Sequence, residues 1–178
     1  MARPRLTGVL LVGGASTRFG SPKALARLGD ETLAERAWRI LGEACDERLA
    51  FGKKEDALEL PFPLRDDESD VRAPLAGVVA GLRAAATEVV VVLPVDTPTV
   101  DADLLRRLAD ACADAAVTQT GPLPAAFRKR ALPVLERRLR TGGLALHEAL
   151  AELDTRRIEV DGTLLANVNT PDELRRLG

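Results

Sequence analysis

The run Val89–Leu93, four valines and a leucine in succession, is the strongest constraint on what this chain can fold into. A half-exposed strand alternates apolar and polar residues, whereas an unbroken apolar run fits a strand covered on both faces. This segment is therefore expected at the centre of a sheet. Leu6–Val12 is a second such run, carried by Val9, Leu10, Leu11 and Val12 and bounded by glycines. Arg3 and Arg5 ahead of it, with small residues behind, share the layout of a short secretory signal. The first buried strand is the better reading, and it predicts a cytoplasmic protein.

Helical spacing fills the intervals. Thr32 with Glu35 forms a capping box, and Leu33, Ala37, Ile40, Leu41 and Ala44 follow on one face up to about Cys45. Arg48–Gly52 reads as a strand, and the Pro- and Asp-rich stretch 61–70 as a loop around one more short strand. A helix is predicted from Pro74 to about Ala86 and another over Asp101–Ala113. Ala115–Thr120 and Leu123–Phe127 read as strands separated by Gly121-Pro122. Helices over Leu132–Thr141 and Leu144–Leu153, a strand over Arg157–Val160 and a last helix opening at Pro171 complete the chain.

Strands alternating with helices predict right-handed parallel crossovers, hence a three-layer α/β/α sandwich around a mostly parallel, Rossmann-like sheet. At 178 residues, 46% of them hydrophobic and 29% charged, the chain is expected to be a single domain spanning residues 1–178. Its charge of −2, from 25 basic and 27 acidic residues, argues against a nucleic-acid or anionic-membrane footprint. One tryptophan, four phenylalanines and no tyrosine leave few platforms for base stacking. No run approaches the ~20 apolar residues of a membrane span. Cys45 and Cys112 have no metal-ligand spacing and read as reduced core thiols, and His147 stands apart from any other ligand type.

In sheets of this kind ligands bind beyond the carboxyl ends of the strands, which directs attention to the segments after Val12 and Leu93 and around Leu64 and Leu165. After Val12 come Gly13, Gly14, Ala15, Ser16, Thr17, Arg18, Phe19, Gly20, Ser21, Pro22 and Lys23. Paired glycines let backbone amides converge on one oxygen cluster, and Arg18 and Lys23 bring two cations to it. That is a phosphate cradle. It is neither a P-loop nor a dinucleotide fingerprint, because no Gly-Lys-Ser/Thr at the P-loop spacing and no GxGxxG occurs. After Leu93, the sequence Pro94-Val95-Asp96-Thr97-Pro98 places a carboxylate at the same edge, where a single Asp suffices to anchor Mg²⁺ that also binds phosphate and water.

These segments resemble the molybdenum cofactor guanylyltransferases, within the wider nucleotidyltransferase group. The glycine-rich loop resembles Leu-Ala-Gly-Gly followed by Ser, Arg-Met-Gly and Lys, with Val12, Phe19 and Pro22 as the departures. Arg65-Asp66-Asp67, Pro74-Leu75-Ala76-Gly77, Val95-Asp96-Thr97-Pro98 and Asn167-Val168-Asn169-Thr170-Pro171 match in order. The closing Asn-x-Asn-Thr-Pro is similar to the guanylyl branch, whereas the cytidylyl branch usually carries aspartates at those two positions.

The resemblance implies transfer of GMP from GTP to the terminal phosphate of molybdopterin or molybdenum cofactor, with release of pyrophosphate and with Mg²⁺ as cofactor. Leu11, Val12, Gly13, Gly14, Lys23, Asp66 and Asp96 would bind nucleotide, with Asp67 fitting almost as well as Asp66. Arg18, Lys23 and Asp96 would carry catalysis, Asp96 holding the metal. Asn167 and Asn169 would line the acceptor side, and other molybdenum-cofactor proteins are possible partners. Ala73 replaces a glycine frequent in the family, and no counterpart stands out for its nucleotide contact near Phe51 and Gly52. The Thr170-Pro171 pair has a structural explanation, a capping box with Glu173. Arg128–Arg130 and Arg137–Arg140 read as solvated faces, or else as holders of a pterin phosphate. The rival readings are a relative using CTP or another nucleotide on molybdopterin or on a sugar or isoprenoid phosphate, and a nucleotide-binding protein without catalysis.

Overall fold

The structure is a computed structural model and describes residues 3–13 and 19–178. Seven strands form one sheet in the order β5 (Arg65–Asp66), β4 (Glu47–Gly52), β1 (Leu6–Leu11), β6 (Val89–Pro94), β8 (Gly121–Arg128), β7 (Ala115–Thr118) and β9 (Thr155–Ile158). The two apolar runs supply neighbouring central strands, β1 (Leu6–Leu11) and β6 (Val89–Pro94), paired in parallel with Leu6 opposite Val89 and Leu10 opposite Leu93. β1 is buried throughout and β6 through Leu93, as strands covered on both faces must be. β4 (Glu47–Gly52) lies on the other side of β1, and β5 (Arg65–Asp66) closes that edge, both parallel.

Alternate side chains of the central strands feed two cores. Leu6, Leu10, Val91 and Leu93 pack against α1 (Leu33–Ala44) and α3 (Ala102–Ala111) through Leu33, Leu41, Leu104 and Leu108. Leu174 of α6 (Pro171–Arg175) joins that cluster. Val9, Leu11, Val90 and Val92 pack on the other side against α2 (Pro74–Ala84), α4 (Leu132–Thr141) and α5 (Leu146–Ala151). Helix α2 sits close on β1. A methyl group added at Gly77 would lie 2.5 Å from Leu11 Cδ2, and one at Gly81 would lie 2.7 Å from Val9 Cγ2.

β8 (Gly121–Arg128) alone runs against the rest, antiparallel to both β6 and β7 (Ala115–Thr118), while β9 (Thr155–Ile158) is parallel to β7. The cause is local: Gln119 and Thr120 join β7 to β8, a connection too short for a crossover. The chain must reverse, and β8 inserts between β6 and β7.

The stretch before α1 holds a small hairpin, β2 (Arg27–Leu28) with β3 (Glu31–Thr32). Gly29, at φ +65°, supplies the left-handed backbone of its two-residue turn. The predicted capping box of α1 is present, with Glu35 N donating to Thr32 Oγ1 at 3.1 Å and Thr32 N donating to Glu35 Oε2 at 2.8 Å. Helix α5 begins at Leu146 rather than Leu144, because Ala145 is extended. The last strand starts at Thr155 rather than Arg157, since its pairing with β7 opens at Ala115 opposite Thr155. Both cysteines are free, and burial pushes the Cys112 thiol up to about 11.

Candidate active site

β1, β4 and β6 end side by side, and their continuations stay tied together. Val12 N donates to the Phe51 carbonyl at 3.0 Å, and Val95 N donates to the Leu11 carbonyl at 3.1 Å. Over these ends lies a cavity of about 520 Å³ with Leu11, Val12 and Gly13 at its base. Phe51, Gly52 and Lys53 form one side, and the turn Pro94–Thr97 forms another. The start of β8, Gly121–Pro124, faces them, and Leu165 and Asn167 contribute from the C-terminal segment.

Lys23 reaches the cavity from a 3₁₀ turn, Lys23–Leu25, which follows Pro22 at φ −57° and buries Ala24. Proline presets the backbone angle of that entry, which gives Pro22 a local structural reason. Lys23 Nζ lies 3.6 Å from Asp96 Oδ2 and donates to Asn169 Oδ1 at 3.3 Å. Asp96 is held through its backbone, since its carbonyl accepts from Val168 N at 2.8 Å. Its carboxylate is not spent on starting α3, which Asp101 caps by accepting from Leu104 N at 2.8 Å. A cation and a carboxylate from opposite flanks of β1 and β6 therefore meet at one rim.

Lys53 and Asp67 form a second pair inside the wall, at 2.6 Å, with side chains only 10% and 7% exposed. Lys53 Nζ also donates to the Ser69 carbonyl, and Asp67 Oδ1 accepts from Ser69 N at 3.0 Å. Asp67 lines the cavity, and Asp66 does not. Asp66 instead closes the neighbouring turn, accepting from Lys54 N and from Glu68 N, each at 2.7 Å. These backbone donors, Lys54 first, hold its carboxyl below the usual carboxylate range. Lys53 escaped the sequence reading because Lys53-Lys54-Glu55-Asp56 looks like a solvated charge run. The signal available was its place directly after the apolar end of β4.

Of the other expected site residues, Leu11, Val12, Gly13 and Asn167 line the cavity. Asn169 is exposed and stands outside the lining, in contact with Lys23. Gly14 and Arg18 lie outside the described residues. The arginine clusters are engaged elsewhere: Arg128 with the Cys112 carbonyl, Arg130 with Asp114, and Arg137 and Arg138 with Glu152. Among the described residues, no helix is long and apolar enough to cross a membrane.

A three-layer sheet with a cationic and acidic rim over the ends of its parallel strands defines an α/β nucleotidyltransferase. Comparison with known proteins agrees. The description "MobA-like NTP transferase domain" matches residues 8–156, and the chain belongs to this family. A molybdenum cofactor guanylyltransferase from Pseudomonas putida is 34% identical over 98% of each chain. Among solved structures, molybdopterin-guanine dinucleotide biosynthesis protein A from Archaeoglobus fulgidus superposes with a TM-score of 0.83 at 24% identity, covering 96% of each chain. The 2-C-methyl-D-erythritol 4-phosphate cytidylyltransferase from Thermus thermophilus shares the fold, with a TM-score of 0.71 at 20% identity over 96% of each chain.

Proposed function

We propose that this chain transfers GMP from GTP to the terminal phosphate of molybdopterin or molybdenum cofactor and releases pyrophosphate. The observation that carries the reading is the meeting of Lys23 and Asp96 at 3.6 Å over one cavity. Guanosine and the pterin acceptor are supported by the Asn167-Val168-Asn169-Thr170-Pro171 match and by the guanylyltransferase to which the chain is similar along its length.

An acceptor phosphate monoester is largely dianionic near neutral pH, its second pKa being about 6. No strong general base is required. An acceptor oxygen forms a bond to the α-phosphorus in line with the bond to the bridging oxygen, which breaks as pyrophosphate departs. The difficulty is charge, so the protein's part is positioning and electrostatic stabilisation. Lys23 would clamp the triphosphate and Arg18 would sit against the departing pyrophosphate. Leu11, Val12, Gly13 and Gly14 would make backbone contacts to the nucleotide, together with Asp66 or its cavity-lining neighbour Asp67. Asn167, which lines the cavity, would serve the acceptor side.

Asp96 is the residue that would hold magnesium. Its side chain is 32% exposed at the cavity, and among the described residues no group of three or more His, Cys, Asp or Glu could hold a metal. A lone carboxylate fits an ion that arrives with the nucleotide and keeps phosphate and water ligands. Once bound, magnesium would neutralise charge on the phosphates.

A thermal-shift panel of GTP, CTP, UTP and ATP with Mg²⁺ tests the nucleotide, because a ligand at about 100 times its Kd adds roughly 2.7 kcal/mol. Incubation with purified molybdopterin and each nucleotide, followed by a pyrophosphate assay, tests the reaction. GTP is expected to lead in both. A larger response to CTP would replace the guanylyl reading, and binding without pyrophosphate release would leave a nucleotide-binding protein.

A further inference from the structure

The segment after β9 crosses the carboxyl edge of the sheet and is fastened along its length. Ala166 N donates to Thr99 Oγ1 at 3.2 Å, Val168 N donates to the Asp96 carbonyl at 2.8 Å, and Asn169 N donates to Glu173 Oε2 at 2.6 Å. Val168 is fully buried in the core below. With Val168 turned inward, the asparagines on either side of it are exposed and reach different things. Asn167 lines the cavity, whereas Asn169 stands outside the lining and accepts from Lys23 Nζ at 3.3 Å.

We infer that Asn169 is a positioning residue for Lys23: its side-chain oxygen fixes the ammonium where a polyphosphate will meet it, and it takes no part in the acceptor surface. The geometry is suited to that task. The ammonium sits on a long stem with several rotatable bonds, and a fixed acceptor lowers the ordering cost of using it. Asn169 can act as that fixed point because Glu173 accepts from its backbone N–H and the preceding Val168 is buried in the core. The same segment grips the Asp96 backbone, so one strap sets both charged groups of the rim. The inference rests on reading Lys23 as the polyphosphate clamp, and it replaces the acceptor role for Asn169.

The test titrates the full chain with magnesium pyrophosphate, with no acceptor present, as wild type, Asn169→Ala, Lys23→Ala and the double variant. Loss of this one exposed hydrogen bond in Asn169→Ala is expected to weaken binding about three- to tenfold. The double variant is expected to bind no more weakly than Lys23→Ala alone, since Asn169 acts only through Lys23. In the transfer assay, Asn169→Ala is expected to raise the nucleotide KM and leave the acceptor KM unchanged. Wild-type affinity in Asn169→Ala, losses that simply add, or a rise in the acceptor KM alone would each overturn the inference. A wild-type chain that binds no magnesium pyrophosphate would overturn it together with the clamp role of Lys23. Preference for a nucleotide other than GTP would overturn the guanylyl reading only, because the coupling is read on pyrophosphate.

Discussion

The ammonium of Lys23 and the carboxylate of Asp96 lie 3.6 Å apart, although one leaves the loop after β1 and the other the turn after β6. The juxtaposition depends on the parallel pairing of β1 with β6, which brings the two exits to the same edge. Each charge is therefore set to meet one ligand from a different side.

Asp96→Ala and Lys23→Ala are each expected to lower pyrophosphate release by roughly 10²-fold or more, the scale of losing one preorganised charge-stabilising group. Single-turnover assays on variants shown to be folded by circular dichroism check this. Turnover near that of the wild type in folded Asp96→Ala would remove the metal-holding role.

Lys53→Met is expected to destabilise the protein by about 3–5 kcal/mol, because Asp67 would be left as an uncompensated charge in the cavity wall. Urea unfolding measures the loss. Replacing both residues with apolar ones should recover most of it, and a cost below about 1 kcal/mol for Lys53→Met would mean that water screens the pair.

Gly77→Ala forces a methyl group against the side chain of Leu11, a residue that lines the cavity. Overpacking of this kind costs about 1–3 kcal/mol. The expected result is a lower urea midpoint together with weaker nucleotide binding, since the buried, cavity-lining Leu11 must shift. An unchanged midpoint would show that Leu11 can turn away freely.

At the opposite end of the sheet, Glu47 accepts from the Thr7 hydroxyl at 2.6 Å and from Ala86 N at 3.1 Å. The Thr7 hydrogen bond, against a smaller effect of burial, holds its carboxyl below the usual glutamate value. A depressed folded pKa gives stability that is present above the unfolded value of about 4.3 and lost as pH falls through the folded one. Urea unfolding of wild type and Glu47→Gln should therefore show a gap at pH 7 that narrows below about pH 4. A gap independent of pH would rule out ionisation of Glu47 as its source.

Much of the frame was legible locally. Two unbroken aliphatic runs marked the central strands, and Thr32 with Glu35 and Thr170 with Glu173 marked helix starts through contacts within one turn. Asp96 and the glycine loop could be placed at one edge because parallel strands separated by helices must end on the same side. The partners of individual charges were another matter. Nothing local to Lys53 shows that the segment carrying Asp67 and Ser69 folds over it, and nothing local to Asn169 shows that it meets Lys23. The reversal into β8 follows from its two-residue connection, but its insertion between β6 and β7 is a long-range pairing. Periodicity and capping are encoded within a few residues, whereas these pairings depend on how distant segments stack, and only the tertiary structure decides that.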